Sequence, residues 1–394
     1  MKLKTLILVA LVIAGLQSHG QYANLAGGNM NVITTAVPFL LIAPDARAGA
    51  MGDAGVSSSP DIYSMHWNPA KYAVFEKDMS IGLAYSPWLR NLVPDMNLAY
   101  LAFHKRINDM SAFAATLRYF SLGDITFTDH EGTELSTYTP NEWAVDATYS
   151  RKLTEKLSGA VAARFIYSNL TLGQYVDNRA TGPGISIAAD VAVYWEDEVN
   201  WFRDIDAKFA WGVNISNIGS KTGYSKDNLE KKDFIPTNLR FGPTLTLELD
   251  DYNSLAFSID INKLLVPTPP RYGDSLDPYK ITAGMSNDVS VVTGMIQSFY
   301  DAPDGFSEEM RELSFAVGTE YWYNKVFALR GGFFYEDKSK GNRKFFTLGA
   351  GLRYNVFGLD FSYLIPIDSR NNPLQNTIRF ALTFDLGNMS KKTE

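Results

Sequence analysis

The chain has 394 residues and a formal net charge of −7; it carries no block of Lys or Arg, which argues against a nucleic-acid partner. It contains no cysteine, so disulfides, cysteine zinc sites, thiol nucleophiles and a lipidated lipoprotein N-terminus are excluded. The length suits two ordinary domains or one large all-β unit, and aromatics at 13% exceed what a soluble core usually needs.

At the N-terminus, Lys2 and Lys4 precede the apolar run Leu6–Leu16, and Ser18 and Gly20 supply small residues. That pattern predicts a secretory signal peptide over residues 1–20, cleaved before Gln21. The run is about half of the ~20 residues that a spanning helix needs, and no later segment is as apolar. An exported chain of this kind is either soluble and secreted or an outer-membrane barrel.

Residues 21–77 follow as an N-terminal segment. The apolar run Ala36–Ala43 leads into Asp45–Ala73, which is rich in Gly, Ala and Ser and lacks two-residue alternation. Its small residues let backbone approach backbone, and Asn68-Pro69 punctuates it. Two readings stand: a plug seated in something the later chain builds, or a surface loop with a short helix. Its place ahead of the first strand puts the plug on the periplasmic side.

From Met79 the pattern changes to strict alternation, the signature of a sheet with two unlike faces. Trp143, Val145, Ala147 and Tyr149 alternate with Glu142, Ala144, Asp146 and Thr148, and Phe209, Trp211, Val213 and Ile215 alternate with Lys208, Gly212 and Asn214. Fourteen strands are predicted near 79–87, 95–106, 110–121, 140–152, 156–169, 183–196, 206–217, 236–249, 253–264, 311–323, 325–336, 343–355, 357–366 and 375–387. A stretch at Lys280–Met285 stays unassigned. Most of these strands match the roughly 9–11 residues of a tilted membrane strand. Tyr149, Tyr167, Trp195, Tyr321, Tyr323, Tyr335 and Tyr354 lie at the ends of apolar faces, as an aromatic girdle would. Asp146, Arg164, Asp190, Arg240, Asp260, Glu320, Arg353, Asp360, Arg379 and Asp385 fall on the other face, in a lumen that both signs of charge could fill. Connections alternate between short and long, as periplasmic turns and outer loops do. The expectation is an all-β, 14-stranded antiparallel transmembrane β-barrel over 78–387, with 388–394 as a C-terminal tail.

One connection, Leu265–Met310, is far longer than usual, which points to function or disorder. It opens Pro-rich and then carries Val291–Tyr300, where Ile296, Phe299 and Tyr300 share one side of a short helix. An exposed apolar helix above a barrel suits partner binding; a lid folded onto the barrel mouth is the alternative. Glu308, Glu309 and Glu312 surround Arg311 in the same loop.

The chain offers little for catalysis. His66 lies in the plug, His104 near a periplasmic strand end and His130 in an outer loop, so they do not converge. A lipid-facing hydrolase would need an outward histidine beside a serine; His104 shares the parity of Leu98 and Tyr100 but has no evident serine. Asp124, Asp129, Glu131 and Glu134 could bind a divalent cation or simply be solvated. No catalytic residue, metal site or cofactor is assigned.

The run Ala46-Arg47-Ala48-Gly49-Ala50-Met51-Gly52-Asp53-Ala54-Gly55-Val56, followed by Trp67-Asn68-Pro69-Ala70, resembles the hatch signature of the PorV/PorQ branch of FadL-like outer-membrane proteins. Gly294-Met295-Ile296-Gln297-Ser298-Phe299 and Asp301-Ala302-Pro303-Asp304-Gly305-Phe306 are similar to the PorV side of that branch. The resemblance implies a FadL-like barrel of the Bacteroidetes type IX secretion system with an N-terminal hatch plugging its lumen. The hatch would include Arg47, Gly49, Met51, Gly52, Gly55, Trp67, Asn68 and Pro69. It further implies a non-enzymatic adaptor that docks on the translocon barrel (SprA/Sov-like), accepts cargo through its C-terminal domain and delivers it to an attachment complex with a PorU-like sortase. Outer-membrane lipid and lipopolysaccharide are the other implied partners. On this reading Val292, Met295, Ile296, Phe299 and Tyr300 bind partner, assisted by Trp88 and Leu89. The alternative function is FadL-like transport of hydrophobic small molecules.

Overall fold

The computed structural model describes residues 30–387 apart from 91–92, 94, 129–133, 172, 174, 177–178, 203–204, 226–231, 274–279 and 368–371. The expected signal peptide and the C-terminal tail lie outside the described residues. From Asn31 onward the chain forms one unit, dominated by fourteen antiparallel strands. They are β1 (Met79–Pro87), β2 (Asn97–Asn108), β3 (Ser111–Ser121), β4 (Asn141–Lys152), β5 (Leu157–Asn169), β6 (Gly184–Val199) and β7 (Asp206–Gly219). The second half supplies β8 (Asn238–Glu248), β9 (Asn253–Leu264), β10 (Ser314–Tyr323), β11 (Phe327–Tyr335), β12 (Lys344–Tyr354), β13 (Phe357–Pro366) and β14 (Ile378–Asp385). Each pairs with its sequence neighbour, and β14 returns to β1 with Ser80 opposite Asp385, so the barrel is closed.

Alternation decides which way each side chain points. In β4, Val145, Ala147 and Tyr149 are exposed while Glu142, Ala144, Asp146 and Thr148 are buried, so apolar residues face the bilayer and polar ones the interior. All ten charges expected in the lumen are on the inner face, eight of them buried and Arg353 and Asp385 partly so. The parity of β2 is a correction. Leu98, Tyr100 and His104 are buried and face inward, because this stretch of wall is covered on its inside by apolar chain. Leu98 joins Phe39 and Leu40, Tyr100 joins Ile62 and Tyr63, and His104 stacks on Tyr72.

Short turns join β2 to β3, β4 to β5, β8 to β9, β10 to β11 and β12 to β13 at one end of the barrel. The long connections stand at the other end, which is therefore the outer one. Three of these carry small hairpins, pairing Ile125–Thr128 with Glu134–Tyr138, Tyr175–Val176 with Arg179–Ala180, and Arg271–Tyr272 with Ile281–Ala283. The last accounts for half of the unassigned stretch at 280–285.

Residues 31–78 run down the inside of this ring. Asn31 bonds to Ser339 and Pro269 in outer loops, and Ala36 N donates to Phe234 O, also in an outer loop. Phe39 stacks on Phe120 in the outer half of β3. At the far end Phe75 O accepts from Arg106 near the periplasmic end of β2. The segment thus runs from the outer mouth to the periplasmic one, which corrects the expectation that it lies on the periplasmic side. Position before the first strand fixes only where the segment finishes.

Candidate functional site

Two regions gather the residues singled out from sequence. In the lumen, Asp45 caps the short helix Ala46–Gly49 by accepting from Ala48 N, and its other oxygen accepts from Trp67 Nε1 at 2.6 Å. Helix geometry then aims Arg47 at the wall. Its guanidinium makes two hydrogen bonds to Glu320, at 2.7 and 2.9 Å, and a third to Asp61 at 2.9 Å. Glu320 also accepts from Arg330, which reaches Asp360, which pairs with Arg353. A second network on the opposite wall joins Arg164 to Asp146, Asp190 and Asn217. Buried charges of this kind hold only while every partner is present.

The glycines do the close-range work. Gly52 has φ +70, and any side chain there would strike the β11 backbone at Phe333. From the wall side, a Cβ at Gly332 would fall on Gly52 N and Met51 C, and one at Gly318 on Met51. Gly49 lies against the Arg379 guanidinium. Gly55 N and Val56 N both donate to Asp260, and Gly55 packs under the Trp67 ring. Arg240 lies 4.6 Å over that ring. Asn68 Nδ2 donates to Val56 O and to Val193 O in β6, and Pro69 opens the tight turn Pro69–Val74. All eight of these sequence-selected residues are buried together.

The outer loop is built differently. Ser290 caps the helix Val291–Gln297. Gly294 faces down, where a Cβ would meet the Phe234 ring at 2.8 Å and Pro267 at 3.0 Å. Gln297 Nε2 donates to Ser286 O and to Asp301, whose carboxylate also accepts from Thr268 N. Burial pushes Asp301 up to about 6. With its small and polar side tied down, the helix turns Val292 and Ile296 outward, and Phe299 and Tyr300 follow; all four are 51–65% exposed. Met295 is half-buried. Trp88 is half-buried too, packed on the cluster of Phe39, Leu98 and Phe120, and Leu89 beside it has φ +48.

The three glutamates of this loop are not arranged around Arg311. Glu309 and Glu312 pair with Lys263, and Glu308 and Glu312 with Lys340, while Arg311 reaches Asp304. Sequence reading missed both lysines because each is distant along the chain. Parity could not have found Lys263, which follows the inward Asn262 on β9 and so has the outward parity, yet is buried beneath the loop glutamates.

No catalytic arrangement forms among the histidines described. His66 Nδ1 lies 2.9 Å from Arg118 Nη2. Ser80 is the cross-strand neighbour of His104, but its hydroxyl donates to Asp385. His130, Asp129 and Glu131 lie outside the described residues, so the four-carboxylate cluster of that loop does too. Among the described residues no group of His, Asp and Glu could hold a metal ion.

Residues 26–271 match the family model described as "Type IX secretion system protein PorV". No curated protein sequence matches. Among solved structures the chain is similar to the Pseudomonas putida toluene transporter TodX, at 11% identity over 90% of this chain and 99% of that one, with a TM-score of 0.48. It is also similar to the Ralstonia pickettii toluene transporter TbuX, at 12% identity over 90% and 97%, TM-score 0.45. A Pseudomonas aeruginosa FadL homologue aligns at 12% identity over 87% and 99%, TM-score 0.40.

Proposed function

The chain belongs to the PorV family of type IX secretion system proteins and is an outer-membrane barrel of that system; from that premise we propose that it is a non-enzymatic adaptor. Its outer loops dock on the translocon barrel (SprA/Sov-like), accept the C-terminal domain of secreted cargo, and hand it to a PorU-like sortase in the attachment complex. The inner segment is a hatch that seals the lumen. The observation that carries the adaptor reading is the outward apolar side of Val291–Tyr300, held up by polar bonds on its other side. A contiguous exposed apolar surface on an ordered element marks an interaction site. The family match ends at residue 271, so this support is independent of it.

A pull-down from detergent extract is the test. The wild-type protein recovers the translocon barrel and cargo, and Ile296→Glu with Phe299→Glu abolishes the recovery. Normal secretion by that variant would overturn the reading.

A second reading rests on a cavity of about 390 Å³ at the outer mouth, lined by apolar Val32, Leu41 and Ile42 and by charged Asp53, Arg343 and Arg379 among others. Its apolar residues suit a hydrophobic small molecule, as a FadL-like transporter would carry. Loss of uptake of such a compound with secretion intact would favour it.

A further inference from the structure

We infer that Lys263 and Lys340, with Glu308, Glu309 and Glu312, form a buried clasp that positions the docking helix Val291–Gln297. The inference rests on the reading of that helix as the partner-binding element and says what holds it in place.

The five side chains come from three parts of the chain. Lys263 is near the outer end of β9, the glutamates sit in and just after the helix Phe306–Arg311, and Lys340 is in the loop between β11 and β12. Lys263 Nζ lies 2.9 Å from Glu309 and 2.7 Å from Glu312, and Lys340 Nζ lies 2.7 Å from Glu308 and 3.0 Å from Glu312. No side chain in the set is more than 6% exposed. The carboxylates are further satisfied by Ala302 N, Asp304 N and Thr268 Oγ1. Such a set fixes geometry, because a shift of any member leaves a buried charge without its partner.

The clasp reaches the docking helix by two routes. Lys263 Nζ stands 5.7 Å from the Phe299 ring centroid, a direct contact with an outward aromatic. Glu312 and Asp301 both bond to Thr268, and Asp301 holds Gln297 of the helix itself. Asn31 adds the inner segment, donating to Glu308 at 3.0 Å. The exposed apolar residues are therefore carried on a rigid base instead of a free loop, which lowers the ordering cost of binding.

The test uses the full-length protein in detergent. Lys263→Met and Lys340→Met keep the stem and remove the charge, and Lys340 lies outside every strand. Hydrogen exchange of amides 291–300 should speed up by about tenfold or more in each variant, while the barrel strands keep their protection. Adding Glu309→Gln to Lys263→Met should restore part of the protection, since it removes a carboxylate left without its cation. Unchanged exchange at 291–300 in both folded variants would overturn the clasp. Faster exchange with undiminished recovery of the translocon would instead sink the docking role of the helix and leave the clasp standing.

Discussion

In the lumen, Arg47 commits its guanidinium to Glu320, Asp61 and Ser59, and Gly332 leaves no space between wall and inner segment. Above it, Ile296, Phe299 and Tyr300 leave more than half of their surface uncovered. Both regions are held by buried ion pairs, yet in one the pairs bind segment to wall and in the other they lie beneath an exposed apolar surface. On the proposed reading the two regions divide sealing from recognition, and damage to one region should spare the other.

The largest effect is expected from Arg47→Met. It leaves Glu320 and Asp61 short of a buried partner, at about 3 kcal/mol or more. Thermal unfolding should shift to lower temperature and single-channel current in planar bilayers should rise, while translocon recovery persists. Next is Gly332→Val, whose side chain falls on Gly52 and Met51. It should raise conductance without altering recovery, and loss of recovery here would break the comparison. Gly294→Val acts in the other region. Its side chain meets Phe234 and Pro267, so recovery should fall about fivefold, on the order of 1 kcal/mol, with unfolding and conductance unchanged.

The smallest effect sharpens the same contrast. Asp301 is raised from 3.8 to about 6, first by burial, so its charged form is the costly one. Its contribution to loop stability is present below about 4 and is lost as pH rises through about 6. Exchange at 291–300, corrected for intrinsic rates, should therefore be slightly slower at pH 5 than at pH 8. Asp301→Asn should flatten that difference and change recovery less than twofold. A stronger pH effect in the variant than in wild type would contradict the assignment.

Much of the barrel was legible because period-two alternation is a direct consequence of a wall with lipid on one side and charge on the other. The strands of Trp143 and Phe209 needed nothing more. The same rule misdirected β2, where Leu98 and Tyr100 pack on Phe39, Leu40, Ile62 and Tyr63, 37–59 residues earlier in the chain, and make the inner face apolar as well. The glycines at 49, 52 and 55 announced close approach, but only the fold says that Gly49 meets Arg379 of β14, Gly52 the β11 backbone at Phe333 and Gly55 the Trp67 ring. The direction of the inner segment was out of reach, since a chain can reach β1 from either mouth. Glu308, Glu309 and Glu312 drew attention as a charged cluster. Their partners Lys263 and Lys340 are 28–49 residues away, and spacing carries no sign of them.

A photo-reactive amino acid placed at Ile296, and in a matched strain at Leu382 on the lipid face, tests the division most directly. The account predicts a covalent adduct with the translocon barrel from position 296 and none from 382. An adduct from 382 alone, with 296 silent, would contradict it.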